Sequence, residues 1–391
     1  MKRKGLLMLI GSVCLALMLA VPLLASCGPA TPEEATEEIA ALESKLAAEK
    51  SKVSGLQDDV ADLEAEIAEL RAPGEVEVTT WRWQTYAGTE EDFWVQRFVQ
   101  DIEKMSDGRL VIDWYYGGTL VPSDQMLTAV STGLLDGSHG AGCYWPGEIL
   151  LGNLESMPFE WCGWEHTIRI WHGLGFLDLM REDYAEHGIY FLAPDIEGVR
   201  GAYNLISTQP VSSLDDMRKL KIRTSGPTAK VLEKVGVSTV FLPVEEVYTA
   251  AATGAIDGFI YGTYVHYYGM GMQEVFGYYL EDGFQAPYCC SWFVNMDAFN
   301  AIPANLQTIV ENAADVVGYY WCPSQWDKED IEAREKLADE GVSFTHMDDE
   351  GLRALREAGL ELLDEEAAKS PRNAAAVAMI KQAHQEFGFL E

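Results

Sequence analysis

The hydrophobic and polar positions divide the chain into three stretches with different patterns. Residues 5–24 are almost continuously apolar. Between residues 39 and 70, apolar residues recur mostly at alternating spacings of three and four, which is the heptad pattern of a coiled coil. From about residue 75 onward, strand-like apolar runs alternate with amphipathic, helix-like segments. The chain is therefore predicted to contain a leader, a helical segment and a mixed α/β body.

The first stretch has the features of a lipoprotein signal peptide. It follows three basic residues and ends in the sequence Leu-Ala-Ser-Cys at 24–27, ahead of Gly28 and Pro29. A basic start, an apolar run and small residues before a cysteine mark a cleavage site after which the thiol carries lipid. We predict a signal peptide over 1–26 and a lipid-anchored Cys27. A permanent transmembrane helix is the alternative, because the run is about long enough to span a bilayer.

The second stretch, 27–74, is predicted to be a lipid anchor followed by a coiled-coil tether. Glu49 interrupts the apolar seam and Gly55 weakens helix propensity, so pairing with another copy is expected to be local or weak. If the segment 39–70 is helical throughout, it is about 48 Å long. A single solvated charged helix, or a disordered spacer, is the alternative.

The body contains two strand–helix–strand–helix units followed by a helical region. This order predicts an α/β fold with parallel strands and two lobes. In the first unit, strands are predicted at 76–83 and 110–115, and helices at 90–105 and 123–134. In the second, strands are predicted at 220–224 and 239–242, and helices at 227–235 and 245–253. Further helices are predicted at 306–320 and 348–367.

Charge narrows the range of partners. The 391-residue chain has a formal net charge of −34, which makes nucleic acid an unfavourable partner, because phosphate binding requires clustered Lys and Arg. An anionic ligand would need positive charge supplied locally, against the field of the whole protein. Individual basic residues near a cleft are therefore informative.

The cysteines beyond the leader and Cys27 are scattered. They show no paired C-x-x-C spacing and no cluster with histidine in the sequence, so no metal or other cofactor is predicted. At most two disulfides could form, and buried thiols are the alternative. These cysteines are Cys143, Cys162, Cys289, Cys290 and Cys322.

The usual catalytic signatures are missing from the sequence: there is no Gly-rich phosphate loop, no G-x-S-x-G and no H-E-x-x-H. Aromatic residues are more informative, because several fall at predicted strand ends, where an open α/β sheet binds ligands. Ordinary core packing is the alternative. The aromatic candidates are Trp81, Trp83, Tyr144, Trp145, Tyr261 and Tyr264.

Several short motifs resemble the periplasmic receptors of tripartite ATP-independent (TRAP) transporters, the DctP-type solute-binding proteins. They occur in the family's order and spacing, and the resemblance covers roughly residues 75–391. The segments at 144–145 and 156–159 look closest to the branch that binds 2-oxo acids and related monocarboxylates. The motifs lie at 117–122, 133–136, 212–217, 220–223, 242–248 and 254–258.

The resemblance implies a two-lobed fold that closes over an organic acid, with an arginine clamping the carboxylate. Arg223 matches that position, and a guanidinium fork suits two carboxylate oxygens. In the 2-oxo-acid branch, a glutamine and a glutamate that hold a metal ion stand at the positions of Arg200 and Ile260. The resemblance to that branch therefore implies that Arg200, which is an arginine in many family members, replaces the metal ion near the ligand. The expected ligand-binding set is Arg223, Arg200, Tyr144, Trp145, Tyr261, Tyr264 and Gln84.

The implied domains are lobe I at 75–199 and 289–330, and lobe II at 200–288 and 331–391. The expected function is capture of a small organic acid and delivery to paired membrane subunits, without catalysis. An extracellular glycan hydrolase and a ligand-sensing receptor of the same fold are the alternatives.

Overall fold

The computed structural model describes residues 32–70, 77–198, 201–285 and 287–389. The chain divides into two compact units, Met1–Val76 and Glu77–Glu391. The described residues of the first unit form helix α1, Pro32–Leu70, so the predicted helical pattern at 39–70 is helical in the structure. Its heptad leucines, isoleucine and valines between 39 and 63 are exposed. The leader and Cys27 lie outside the described residues.

The second unit contains two sheets. In the first sheet the strand order is β2-β1-β3-β10-β4, with β1 parallel to β2 and β3, and β10 antiparallel to β3 and β4. Its strands are β1 Thr79–Thr85, β2 Leu110–Tyr115, β3 Gly137–Gly140, β4 Ile189–Glu197 and β10 Tyr288–Asn295.

The second sheet has the strand order β11-β9-β5-β8-β6-β7. β5 is antiparallel to both β8 and β9, whereas β6, β7 and β8 run parallel, as do β9 and β11. Both sheets are therefore mixed rather than wholly parallel. The strands are β5 Leu205–Ser207, β6 Lys221–Arg223, β7 Ser238–Val240, β8 Gly258–Ile260, β9 Tyr278–Leu280 and β11 Ser343–Thr345.

Helices cover the sheets. Those before β5 are α2 Asp92–Met105, α3 Met126–Ser131, α4 Gly152–Glu155, α5 Trp164–Ile168 and α6 Phe176–Ala185. Those between β5 and β10 are α7 Leu214–Met217, α8 Gly226–Lys234, α9 Val247–Ala252 and α10 Tyr264–Gly269. Those after β10 are α11 Met296–Ala301, α12 Ala304–Val316, α13 Cys322–Asp339, α14 Asp349–Ala367 and α15 Pro371–Phe387. Among the described residues, no helix is long and apolar enough to cross a membrane.

The α12–α13 run is continuous through a π-helical turn at Val317–Trp321. Gly318 lies in this turn, and a Cβ there would lie 2.1 Å from the Pro194 carbonyl oxygen of β4. The absence of a side chain at Gly318 thus lets the helix backbone approach the sheet closely.

The two-lobed α/β class predicted from the sequence is confirmed, and the predicted elements lie within a few residues of the observed ones. The lobe boundaries at 199, 288 and 330 stay a prediction. All five cysteines of the second unit are free thiols, four of them buried, so the alternative of buried thiols holds over disulfides.

Candidate functional site

Arg223 is the last residue of β6, and its side chain is fully buried. Its Nε and one amino group, Nη2, both donate to the carbonyl oxygen of Leu242, at 2.9 and 2.5 Å. The rings of Phe241 and Phe259 lie on the guanidinium, each with its centroid 5.4 Å from Cζ. These contacts fix the side chain and leave the other amino group, Nη1, without a hydrogen-bond partner among the described residues.

No carboxylate of the described residues forms an ion pair with Arg223, which is unusual for a buried charge. A buried cation without a counter-charge costs several kcal/mol, because the guanidinium loses its hydration. A bound anion at Nη1 would remove that penalty. The unpaired face of Arg223 is therefore the strongest indication of a ligand's position.

A helix begins directly beside this arginine. α8 starts at Gly226, two residues after Thr224, and the N-terminal amides of a helix carry partial positive charge that favours an anion. The hydroxyls of Thr224, Ser225 and Thr228 are buried and have no hydrogen-bond partner among the described residues. The positive N-terminal end of α8 and these three hydroxyl donors therefore favour an anion in the same place as the charge of Arg223 does.

Aromatic rings form the walls around the guanidinium. Tyr86 meets Tyr144 and Tyr261 edge-on, with centroids 6.3 and 6.0 Å apart. Tyr144 contacts Phe241 at 5.7 Å, and Tyr261 stacks on Phe259 at 5.4 Å. The site is thus an aromatic enclosure with one cationic corner.

The hydroxyls of Tyr144 and Tyr261 are buried without hydrogen-bond partners in the described part of the chain. Burial raises the pKa of both phenols, and the positive charge of Arg223 opposes that rise at Tyr144. Both groups are therefore neutral hydrogen-bond donors near neutral pH. Such donors suit the carboxylate or a keto oxygen of a small acid.

Behind Tyr86 lies a group of buried acids. The Tyr86 hydroxyl donates to Oε1 of Glu91 at 3.3 Å, and His266 Nε2 lies 3.0 Å from the same oxygen. Burial raises the pKa of Glu91 to about 8 and that of Glu197 well above its usual value. The raised pKa values favour the protonated, uncharged form of both carboxyls, which does not repel an anion beside Tyr86.

Glu91, Glu197 and His266 are close enough to be considered as metal ligands. Both ring nitrogens of His266 are already engaged, however. Its Nδ1 accepts from the backbone amide of Thr263 at 3.2 Å, which places the proton on Nε2, facing Glu91. This imidazole acts as a hydrogen-bond donor, and the cluster is better described as a proton-holding network.

Elements from the two sheets meet across the site. Ser123 donates through its backbone amide and hydroxyl to the carboxylate of Glu245, at 3.3 and 3.1 Å. Gly226 of α8 packs on Cys143, where an added Cβ would lie 2.6 Å from the cysteine Cβ. The two halves are therefore in close contact around the enclosure.

Two of the aromatic candidates are core residues. Trp81 and Trp83 lie within β1 and are almost fully buried, and Trp83 packs against Phe98 and Trp292. A Cβ at Gly137 would collide with the Trp83 ring, so this tryptophan fills the space between β1 and β3. The alternative of core packing therefore holds for both tryptophans, because the strand extends past them to Thr85.

Gln84, Trp145 and Tyr264 also have other partners. The Gln84 amide bonds to the backbone of residues 120–121, at 2.8 to 3.2 Å. The Trp145 indole donates to the carbonyl of Asp124. The Tyr264 hydroxyl donates to Glu281, which is paired with Arg334. These residues hold loops and helices in place, and the structure does not bring their polar atoms to Arg223.

Arg200 lies outside the described residues, so its predicted position cannot be compared with the site. Ile260 is a buried residue of β8 and offers no ligand atom. Sequence reasoning missed Tyr86, Phe241 and Phe259. Phe241 directly precedes a family-like motif at 242–248, which was the one available signal for it.

Comparison with known proteins agrees with this architecture. The model of the bacterial extracellular solute-binding protein family 7, DctP, matches residues 88–370. The chain belongs to this family. The predictions of a TRAP-type solute-binding protein, and of binding rather than catalysis, are thereby confirmed.

The sequence identities to individual relatives are low. A monocarboxylate 2-oxoacid-binding periplasmic protein of Nostoc sp. is 26% identical over 274 residues, covering 68% of this chain and 73% of the relative. A TRAP solute-binding protein of Pseudoalteromonas atlantica, solved with sodium and pyruvate, superposes with a TM-score of 0.72 at 24% identity, covering 80% of this chain and 95% of that one. An apo, open protein of Rhodobacter sphaeroides gives a TM-score of 0.58 at 20% identity, with 79% and 99% covered.

Proposed function

We propose that this protein captures a small organic acid, a monocarboxylate or 2-oxo carboxylate, outside the cytoplasm and delivers it to the membrane subunits of a TRAP transporter. The observation that carries the proposal is the buried guanidinium of Arg223, whose Nη1 has no partner among the described residues. A carboxylate oxygen at this position would supply both the missing hydrogen bond and the missing charge.

The surroundings favour a small ligand with one charge. The phenols of Tyr144 and Tyr261 offer neutral donors on the walls of the enclosure, and Phe241 and Phe259 offer apolar surface. Arg223 is the one guanidinium that the described residues place there. The named relative in Nostoc sp. and the pyruvate in the Pseudoalteromonas atlantica protein point to the same ligand class.

Ligand capture would couple to closure of the two halves. The chain superposes better on the pyruvate-bound protein, with a TM-score of 0.72, than on the apo open one, at 0.58. The contacts Ser123–Glu245 and Cys143–Gly226 belong to such a closed arrangement. A ligand that touches Arg223 on one side and Tyr144 on the other binds the closed state better, which shifts the population toward it.

Arg200 is proposed to contribute a second positive charge at the place where relatives hold a metal ion. The proposal is based on the sequence. Ile260 and Arg200 occupy the two positions where the 2-oxo-acid branch has a metal-binding glutamate and glutamine, so both of these ligands are missing here. It predicts that ligand affinity is the same in the presence and absence of a metal chelator.

Lipid at Cys27 and the α1 segment are proposed to tether the binding unit to the membrane. With 39 residues, α1 is about 58 Å long, enough to hold the binding unit well clear of a bilayer surface. Self-association through the exposed apolar positions of α1 belongs to the same proposal.

A thermal-shift screen tests the ligand class. Wild type, Arg223→Ala and Arg218→Ala are compared on a panel of monocarboxylates, 2-oxo acids, dicarboxylates and neutral sugars. Arg218 is half-exposed and paired with Asp215, so its loss controls for net charge. We expect a small monocarboxylate or 2-oxo acid to stabilise wild type and Arg218→Ala but not Arg223→Ala. The proposal fails if no carboxylate stabilises the wild type, or if Arg223→Ala responds equally.

A further inference from the structure

A cluster of buried acids and histidines lies behind Tyr86, where α10 packs against the half of the chain that holds the first sheet. Each of its five residues is fully buried. The ligand contacts proposed above use none of them. We call this set the acid cluster, and its members are Glu91, Asp195, Glu197, His139 and His266.

The acid cluster has fewer positive charges than carboxyls. His266 Nδ1 accepts from the backbone amide of Thr263 at 3.2 Å, so this imidazole is neutral, with its proton on Nε2. His139 is the other imidazole, and its Nε2 lies 2.6 Å from Oδ2 of Asp195. Among the described residues, no Lys or Arg forms an ion pair with the three carboxyls. At least two of these carboxyls therefore have no counter-charge, which makes their ionised forms costly in a buried position.

The two glutamates share one imidazole proton. His266 Nε2 lies 3.0 Å from Oε1 of Glu91 and 3.8 Å from Oε2 of Glu197. The second carboxyl oxygen of each glutamate is buried without a hydrogen-bond partner among the described residues. Burial raises the pKa of both carboxyls, since it penalises the charged form. The packed arrangement thus favours a proton on these glutamates.

This arrangement exists only while α10 is in contact with the segment before α2. Glu91 lies between β1 and β2 of the first sheet, whereas His266 lies on α10, between β8 and β9 of the second sheet. The contact is tight, because a Cβ added at Gly269 of α10 would collide with the side chain of Glu90. Separation of the two halves at this contact would expose Glu91 and His266 to water.

The other titratable groups around Glu91 and His266 are acids, phenols and thiols. Asp330 of α13 accepts from the Val265 amide at 3.0 Å, and burial raises its pKa to about 6. Glu90 is half-buried and accepts from the amide of Gly88 at 2.8 Å. In the described part of the chain, these neighbours supply no positive charge to the acid cluster. The remaining neighbours are Tyr86, Tyr261, Tyr288, Cys290 and Cys322.

We propose that capture of the organic acid is coupled to uptake of one proton, which Glu91 holds in the closed protein. This inference rests on the proposed function, since it requires that ligand capture closes the two halves. In the open protein, Glu91 would be hydrated and ionised near neutral pH. Closure places it against neutral His266 and Glu197, where the uncharged carboxyl is favoured. The ligand and the proton then stabilise the same closed state, so ligand affinity falls as pH rises.

The pH range for a test is set by His266. Burial lowers the pKa of this imidazole to about 4, from a usual value of 6.5. Below pH 6.5, closure would therefore also release a proton from His266, which offsets the uptake by Glu91. Above pH 6.5 the imidazole is mainly neutral in both states, and the uptake by Glu91 remains. Small carboxylic acids are ionised throughout this range, so the ligand does not contribute.

Calorimetric titration of the full-length chain with pyruvate tests the coupling. Titrations at pH 6.5, 7 and 8 are repeated in buffers with different enthalpies of ionisation, because the dependence of the heat on the buffer gives the number of protons taken up. We expect about one proton per bound pyruvate at pH 7, and an affinity that falls about tenfold between pH 6.5 and 8.

Two outcomes separate this inference from the proposed function. If pyruvate binds with the same affinity at pH 6.5 and 8 and without proton uptake, the inference fails and the proposed function stands. If pyruvate binds at no pH, the result counts against both. The proton count is measured on the wild type, so it can overturn the inference without any variant.

Matched variants locate the proton. Glu91→Gln keeps the shape of a protonated carboxyl but cannot take up a proton, so it should abolish the uptake and make the affinity independent of pH. Glu155→Gln is the control, because Glu155 is also fully buried with a raised pKa, but its carboxylate accepts from Gly142 and Ser291 rather than from α10. Uptake that persists in Glu91→Gln, or that disappears in Glu155→Gln, overturns the assignment to Glu91.

Discussion

Gly226 and Cys143 touch across the ligand enclosure: a Cβ on Gly226 would lie 2.6 Å from the Cβ of Cys143 and 3.2 Å from its sulfur. Gly226 also has a φ of +55°, which L side chains rarely adopt. The residue is the first of α8 and follows Arg223 by three positions. When the two halves close, the backbone of Gly226 therefore packs against the side chain of Cys143, and the space between them accommodates only glycine.

Gly226→Ala should prevent full closure and weaken ligand binding at least tenfold, because the new methyl group occupies the space of Cys143. Calorimetric titration with the acid from the screen measures the affinity, and small-angle scattering measures whether ligand still compacts the chain.

Gly254→Ala is its control. Gly254 has a φ of +71°, but a Cβ added there would meet no atom within 4 Å, so it shares the backbone strain without the collision. Each variant should lose about 1–2 kcal/mol of stability from strain. Unchanged affinity in Gly226→Ala would mean that this contact is not part of closure.

Tyr144→Phe and Tyr261→Phe should each lower ligand affinity about tenfold, because each removes one hydrogen-bond donor worth about 1–1.5 kcal/mol. Stability without ligand should not fall, since both hydroxyls are buried without partners among the described residues. Tyr279→Phe is the matched control: its hydroxyl is also buried and unpartnered there, but it lies beside Tyr264 and Tyr267. Calorimetric titration and thermal melts give the two readings. Loss of stability without loss of affinity would assign the hydroxyls to folding alone.

The local elements can be predicted because their signals are local. A short run of β-branched and aromatic residues predicts β2 with its observed bounds, Leu110–Tyr115. The 3.6-residue periodicity of apolar residues predicts helix α14 within one residue, and both patterns are read directly from the sequence. The motif at 220–223 identifies Arg223, which lies where an anion is needed.

The side-chain partners are harder to predict. Periodicity does not say where along a strand the crevice begins, so the sequence suggests Trp83 as a wall residue although it packs in the core. Cys162 and His384 are 222 residues apart, and no sequence spacing reports their contact. The fold has to be known before these thiol and imidazole groups can be seen as neighbours.

Glu155 predicts a pH dependence of stability. Burial raises its pKa from 4.5 to about 8, while its oxygens accept from Gly142 and Ser291. Between these values the folded chain holds a proton that the unfolded chain has released, so stability should fall as pH rises, by at most about 1.4 kcal/mol per pH unit for this group. Glu155→Gln should reduce that slope.

Urea denaturation at several values between pH 5 and 8 provides the measurement. Glu361→Gln is the control, because this carboxylate is largely exposed. An identical slope in Glu155→Gln and wild type would show that Glu155 ionises normally in the folded chain.

Cys27→Ser should release the protein from the membrane. The proposed lipid is attached through this thiol, so its loss should move the exported chain to the soluble fraction. Fractionation and metabolic labelling with a radioactive fatty acid follow the change, with Cys14→Ser in the leader as control. Retention of Cys27→Ser in the membrane would favour an uncleaved apolar leader.

The π-helical turn at Val317–Trp321 affects where the α12–α13 helix can bend. α12, the turn and α13 form one continuous arm, and π-helical turns are among the places where helices kink. Bending would concentrate there, where Gly318 packs directly on the Pro194 carbonyl. Substitutions in these five residues could alter how readily the two halves close without changing any group that touches the ligand, so the energetics of closure and the choice of ligand could evolve separately.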